Sequence, residues 1–150
     1  MFSTPSSAKC GELCSVQFWS GASSIEVKSR ILKSDALLQS DNYGYTPLHY
    51  AAAHSSPNII SILVDAGADI HNDGAEKWTS SQKRGETPLH TASRVGRADN
   101  AVKLLELGAN LEATSSAGYS PLSLATLLGD IKTIETLLDA GADKFVLNSF

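Results

Sequence analysis

The chain has 150 residues, 42% of them apolar and 19% charged, which is enough to bury a core and too apolar for a disordered polymer. Twelve basic against 16 acidic residues give a net charge of −4. That balance argues against a nucleic-acid or anionic-membrane surface, since either needs a basic excess. The longest aliphatic run, Ile59 to Val64 with Ser61 inside it, falls far short of the roughly 20 residues that span a bilayer as a helix.

Residues 1–10 are expected to form a flexible lead-in. From Glu12 to Ser20, with Leu13, Val16 and the pair Phe18-Trp19, the pattern predicts a short helix. Ser23-Ser24-Ile25-Glu26 is a capping box that opens a second helix, with an apolar face expected through Ile25, Ile31 and Leu32. Residues 11–40 are thus expected to be a degenerate N-terminal cap, atypical because one of its faces meets water instead of a neighbour.

Beyond residue 40 the glycines and prolines fall at fixed intervals. Pro47-Leu48, Pro88-Leu89 and Pro121-Leu122 are each followed, 20 residues after the proline, by a Gly-Ala pair at Gly67, Gly108 and Gly141. Gly44, Gly85 and Gly118 each precede the proline by three. The second and third units repeat with a period of 33, while the first and second lie 41 apart, so one insertion of eight residues interrupts a repeat array. Thr46-Pro47, Thr87-Pro88 and Ser120-Pro121 place a hydroxyl at an N-cap and a proline at the first helical position, where its missing N–H had no partner anyway. Leu48, Ala51 and Ala52, then Leu89 and Ala92, then Leu122 and Ala125 follow at helical spacing. A turn leads to a second helix carrying Ile60, Leu63 and Val64, or Leu104 and Leu105, or Ile134, Leu137 and Leu138. Glycine ends it by tolerating the left-handed conformation.

These residues carry a family resemblance. Tyr45-Thr46-Pro47-Leu48-His49-Tyr50-Ala51-Ala52 with Gly67-Ala68-Asp69, and Gly85-Glu86-Thr87-Pro88-Leu89-His90-Thr91-Ala92 with Gly108-Ala109-Asn110, resemble the ankyrin repeat. Residues 115–147 match more loosely, with Ser120 and Ser123 in place of the family's Thr and His. The resemblance implies an all-α solenoid of helix-turn-helix units joined by β-hairpin fingers. Its expected segments are a cap at 11–40 and repeats at 41–73, 82–114 and 115–147, with a lengthened finger at 71–84. The insertion holds Trp78, which either packs on the neighbouring repeat or anchors a partner. The closing apolar residues Phe145, Val146, Leu147 and Phe150 are expected to fold back over the last helix pair.

No motif for catalysis stands out. The resemblance gives His49 and His90 a structural role. His54 and His71 have no Cys or His at metal-ligand spacing, and phosphate-loop, nucleophile-elbow and His-Glu-x-x-His patterns are absent. No enzyme activity, cofactor or metal is expected. Cys10 and Cys14 lie one helical turn apart, which permits a disulfide. The Cys-Gly-Glu-Leu-Cys and Phe-Trp opening resembles small exported bacterial ankyrin-repeat proteins, and Ser6 and Ala8 resemble residues before a signal-peptidase cut. The alternative is a cytoplasmic chain with two free thiols.

The resemblance implies a monomer that binds another protein on a concave face, with neither nucleic acid nor membrane as ligand. Its variable contact positions fall on Asn42, Tyr43, Tyr45, Lys83, Arg84, Glu86, Ser116, Ala117 and Tyr119 at the fingers, and on Ala53, His54, Arg94, Val95, Leu127 and Leu128 on the first helices. Three of the four tyrosines stand at finger positions that core packing does not require, and tyrosine is enriched at interfaces. Lys83, Arg84, Arg94 and Arg97 gather in the middle repeat of an acidic chain, which suits an acidic patch on a partner. Other roles open to such a chain are the inhibitor or protective partner of one enzyme, in the periplasm for an exported chain, and a stacking unit of a larger array.

Overall fold

The computed structural model describes residues 16–21, 23–31, 40–41, 44–73 and 85–143, and among them the chain forms eight helices and no strand. They are α1 (Val16–Gly21), α2 (Ser24–Ile31), α3 (Pro47–His54), α4 (Pro57–Asp65), α5 (Pro88–Val95), α6 (Ala98–Glu106), α7 (Pro121–Leu128) and α8 (Ile131–Asp139). Cys10, Cys14, Asn42, Tyr43, Trp78, Lys83, Arg84 and the apolar tail lie outside the described residues.

The helices stack in two rows. α1, α3, α5 and α7 pack side by side in the first, and α2, α4, α6 and α8 in the second. Between the rows run Leu48, Ala51, Ala52, Ile60 and Leu63, then Leu89, Ala92, Ala101 and Leu104, then Leu122, Ala125 and Leu137, all buried. The alanines let neighbouring first-row helices approach closely, and Trp19 and Val27 seal the N-terminal end of this core.

The Gly-Ala pairs close the second-row helices. Gly67, Gly108 and Gly141 sit at φ of 105°, 101° and 98°. This turns the next amide back, so that Ala68, Ala109 and Ala142 donate to the carbonyls of Leu63, Leu104 and Leu137 at 3.0, 2.9 and 3.0 Å. Two carbonyls that a helix end otherwise leaves to water are satisfied in each Schellman turn.

The capping box at Ser23 forms as expected, with Ser23 N donating to Glu26 Oε2 at 2.9 Å and Glu26 N to Ser23 Oγ at 3.3 Å. Of the face expected behind it, the Ile31 side chain and Leu32 lie outside the described residues, and Ile25 does not face the core. Ile25 is exposed and Val27 is buried, because two residues turn a helix by about 200° and α2 packs on α4 through the side that carries Val27. Leu138 likewise lies at the surface and leaves the core of the last pair to Leu137.

Candidate protein-binding surface

The first two hydroxyl-Pro starts each make a joint to the following unit. His49 Nδ1 accepts from the Thr46 amide at 3.0 Å and lies 2.8 Å from its hydroxyl, and His90 does the same with Thr87 at 3.1 and 2.8 Å. With Nδ1 accepting, the ring proton sits on Nε2. That nitrogen donates to the next unit's backbone, from His49 to the Glu86 carbonyl and from His90 to the Tyr119 carbonyl, the latter at 2.8 Å. Burial holds both rings neutral: it lowers His49 to about 4 and His90 in the same direction, against the opposing pull of the carbonyl bonds. Both histidines therefore serve the stack. In the third unit Ser123 takes the position, with its Oγ 3.0 Å from that of Ser120 and its amide bonded to Ser120 Oγ at 3.1 Å.

Residues expected at the contact surface are divided by the fold into two sets. Tyr45, Glu86 and Arg94 are knotted together across the first and second units. Arg94 Nε lies 3.2 Å from Glu86 Oε2, Arg94 Nη2 donates to Tyr45 Oη at 3.0 Å, and Tyr45 Oη donates to Glu86 at 3.2 Å. The Arg94 guanidinium also stands 6.0 Å from the Tyr45 ring centroid. Glu86 is 5% exposed and Ala53 4%, so these two side chains are buried and not part of the accessible surface. A buried carboxylate needs its charge partner, which is why Arg94 turns inward. Arg97 Nε donates to the Ala53 carbonyl at 3.1 Å, and the described half of the expected basic cluster is thus engaged within the chain.

The second set stays accessible. Val95 is 44% exposed, Leu127 66% and Leu128 57%, and they sit at the C-terminal ends of α5 and α7. His54, one unit earlier in the same column as Val95 and Leu128, is half-buried, and burial together with nearby Arg97 lowers its pKa. In the turn before α7, Ser116 and Ala117 are exposed and Tyr119 half-buried. Backbone bonds close the turns that lead into α3 and α7: Asp41 N donates to the Tyr45 carbonyl at 3.0 Å and Ser115 N to the Tyr119 carbonyl at 2.8 Å.

One structural residue was missed from sequence. Asn100 Nδ2 donates to the carbonyls of Ala52 at 2.8 Å and Ser55 at 2.9 Å. Helix α3 lacks the left-handed glycine that ends α5 and α7 at Gly96 and Gly129, and so its last carbonyls are capped by the next unit. The buried position of Asn100, at the same place as Ile59 in the preceding unit, was its only trace.

Among the described residues no three His, Cys, Asp or Glu side chains gather as a metal site, and no helix is long and apolar enough to cross a membrane. A shallow groove of about 330 Å³ between α6 and α8 is floored by Val102, Leu105 and Ala140 and edged by Glu106 and Asp139. Glu106 is paired with Lys103 at 3.1 Å.

Two rows of stacked helix pairs, closed by repeated Schellman turns and joined by repeated histidine bridges, define an α-solenoid of short repeats. A family model of ankyrin repeats (three copies) matches residues 19–73 and 70–148, and the chain belongs to the ankyrin-repeat family. It is 30% identical over 111 residues to human transient receptor potential cation channel subfamily A member 1, covering 72% of this chain and 9% of that protein. Neurogenic locus Notch protein of Drosophila melanogaster is 33% identical over 109 residues, covering 63% of this chain and 4% of Notch. The mouse B-cell lymphoma 3 protein homolog is 31% identical over 104 residues, covering 69% of this chain and 22% of its own length. The chain thus spans only a small part of each of these relatives. Ankyrin repeats are in general protein-interaction modules, and the family is in general non-catalytic.

Proposed function

We propose that this chain is a non-catalytic module that binds a folded protein partner along its fingers and the exposed ends of its first-row helices. The observation that carries this reading is the ledge of Val95, Leu127 and Leu128. These are large apolar side chains left in water by a fold that buries nineteen others, alanines included, among the described residues. A soluble chain gains nothing from such a ledge unless something covers it. The acidic net charge supports a protein over a nucleic acid as the ligand.

With Arg94 held by Glu86 and Arg97 by Ala53, the described surface suits an apolar anchor on the partner better than an acidic patch. Affinity capture from the source cells followed by mass spectrometry tests this. A partner retained by the intact chain and lost from the Leu127→Ser/Leu128→Ser variant supports the assignment. Equal retention by both refutes it.

A further inference from the structure

The groove between α6 and α8 has its origin in the sequence. Val102, Leu105 and Glu106 line one side of it, and Thr136, Asp139 and Ala140 the other. One unit earlier, at the 33-residue period, the places of Thr136 and Ala140 are held by Lys103 and Leu107, both larger and both half-buried. A threonine and an alanine thus leave unfilled in the last unit what a lysine and a leucine occupy in the one before. The groove is set by side-chain size between two helices that pack on each other, and its formation owes nothing to the residues after Asp143.

Its rim is acidic. Glu106 and Asp139 are the last residues of α6 and α8, at matching positions, and both are exposed. A carboxylate there faces the negative end of the helix dipole and is unfavourable unless a cation answers it. Glu106 has that cation within its own helix, Lys103 at 3.1 Å. Asp139 has no ion-pair or hydrogen-bond partner among the described residues. The place that supplies the lysine in α6 is Thr136 in α8, whose hydroxyl is bonded to the Lys132 carbonyl at 2.8 Å. Lys132 itself reaches Asp99, at 3.6 Å. One exchange, lysine to threonine, both opens the groove and leaves its acid unpaired.

We propose that this groove receives a lysine from a partner protein, on a segment where an apolar residue stands beside that lysine. The stem lies on Val102, Leu105 and Ala140 while the charged head stays at the water edge. There the ammonium pairs with Asp139, as that of Lys103 pairs with Glu106 one unit earlier. The occupant supplies from outside what the preceding unit supplies from within. An acidic segment meets like charge at the rim and is turned away. The groove belongs to the second row and is separate from the first-row ledge of Val95, Leu127 and Leu128, so the two proposals fail separately.

Titration of the intact chain with the peptide acetyl-Ala-Leu-Lys-Ala-amide, followed by NMR shifts of the backbone amides, tests the proposal. The expected result is saturable shifts gathered from Val102 to Glu106 and from Thr136 to Ala140. The same peptide with norleucine in place of lysine keeps the stem without the charge and should bind about threefold more weakly, as should the lysine peptide to Asp139→Asn. Thr136→Lys copies the preceding unit, fills the groove from within, and should weaken the lysine peptide at least tenfold. Asp65→Asn, which removes the matching carboxylate of α4, leaves binding unchanged. Each of these side chains is exposed or half-buried, and a thermal melt followed by circular dichroism checks that the variants keep the fold. Absence of saturable shifts, the result expected where a segment of this chain already fills the groove, would overturn the proposal. So would equal binding of the norleucine peptide, or undiminished binding by Thr136→Lys.

Discussion

Acidification from about pH 7 to about pH 5 asks His49 to take up a proton inside a packed joint. The ring is fully buried, and its Nδ1, where the proton would go, already accepts from the Thr46 amide. Folding therefore lowers its pKa from 6.5 to about 4, with burial as the main cause. The unfolded chain binds the proton that the folded chain excludes, so the His49 contribution is complete above pH 6.5 and is lost as pH falls through about 4. Between about pH 7 and about pH 5 the loss is about 2 kcal/mol, and the full shift is worth about 3 kcal/mol. His90, shifted in the same direction, adds to the fall. Urea unfolding followed by circular dichroism at a series of pH values gives the slope. His49→Gln supplies the reference, because glutamine at this position keeps a capping box and does not titrate, and the carboxylates common to both chains cancel. Equal losses for the two chains over this window would refute the reasoning.

Gly85→Ala should cost about 1–3 kcal/mol, read as a lower urea midpoint, because φ is +61° and the new Cβ would lie 2.2 Å from Ser116 Oγ and 2.9 Å from the Ser116 amide nitrogen. Gly141→Ala, with φ at +98° and nothing within 4 Å, should cost less in the same assay. Asn100→Ala leaves the Ala52 and Ser55 carbonyls without their donor and should destabilise by about 1–3 kcal/mol in a thermal melt. Trp78→Ala combined with Tyr119→Ala should weaken partner binding by a few kcal/mol without changing the circular dichroism spectrum. Unchanged affinity by titration calorimetry would remove those two residues from the surface.

What could be read from the sequence was local. A hydroxyl before proline, and a Gly-Ala pair 20 residues after that proline, act within one helix end and keep their meaning wherever the helix sits. The ladder of buried leucines and alanines followed from them. Residues whose role is set by the neighbouring unit were harder to place. Glu86 and Arg94 look like solvent-facing charges in any short window, yet they pair with each other and with Tyr45 across a gap of 41 residues or more in chain order. Asn100 looks like a surface residue near a helix start, yet it caps a helix 48 positions earlier. Ile25 and Val27 are equally apolar by type, and only the direction in which α2 meets α4 decides which of them is buried.

The joints point one way along the chain, and that bears on how it comes to fold while being made. The Glu86 carbonyl that receives His49, and the Asn100 and Arg97 side chains that close the end of α3, all arrive later in synthesis than the helices they complete. The first unit is therefore unfinished when it emerges and becomes secure only after the second has followed it. A nascent chain that has emerged from the ribosome only as far as residue 84 lacks these partners, and the last carbonyls of α3 are then left to solvent or to a chaperone.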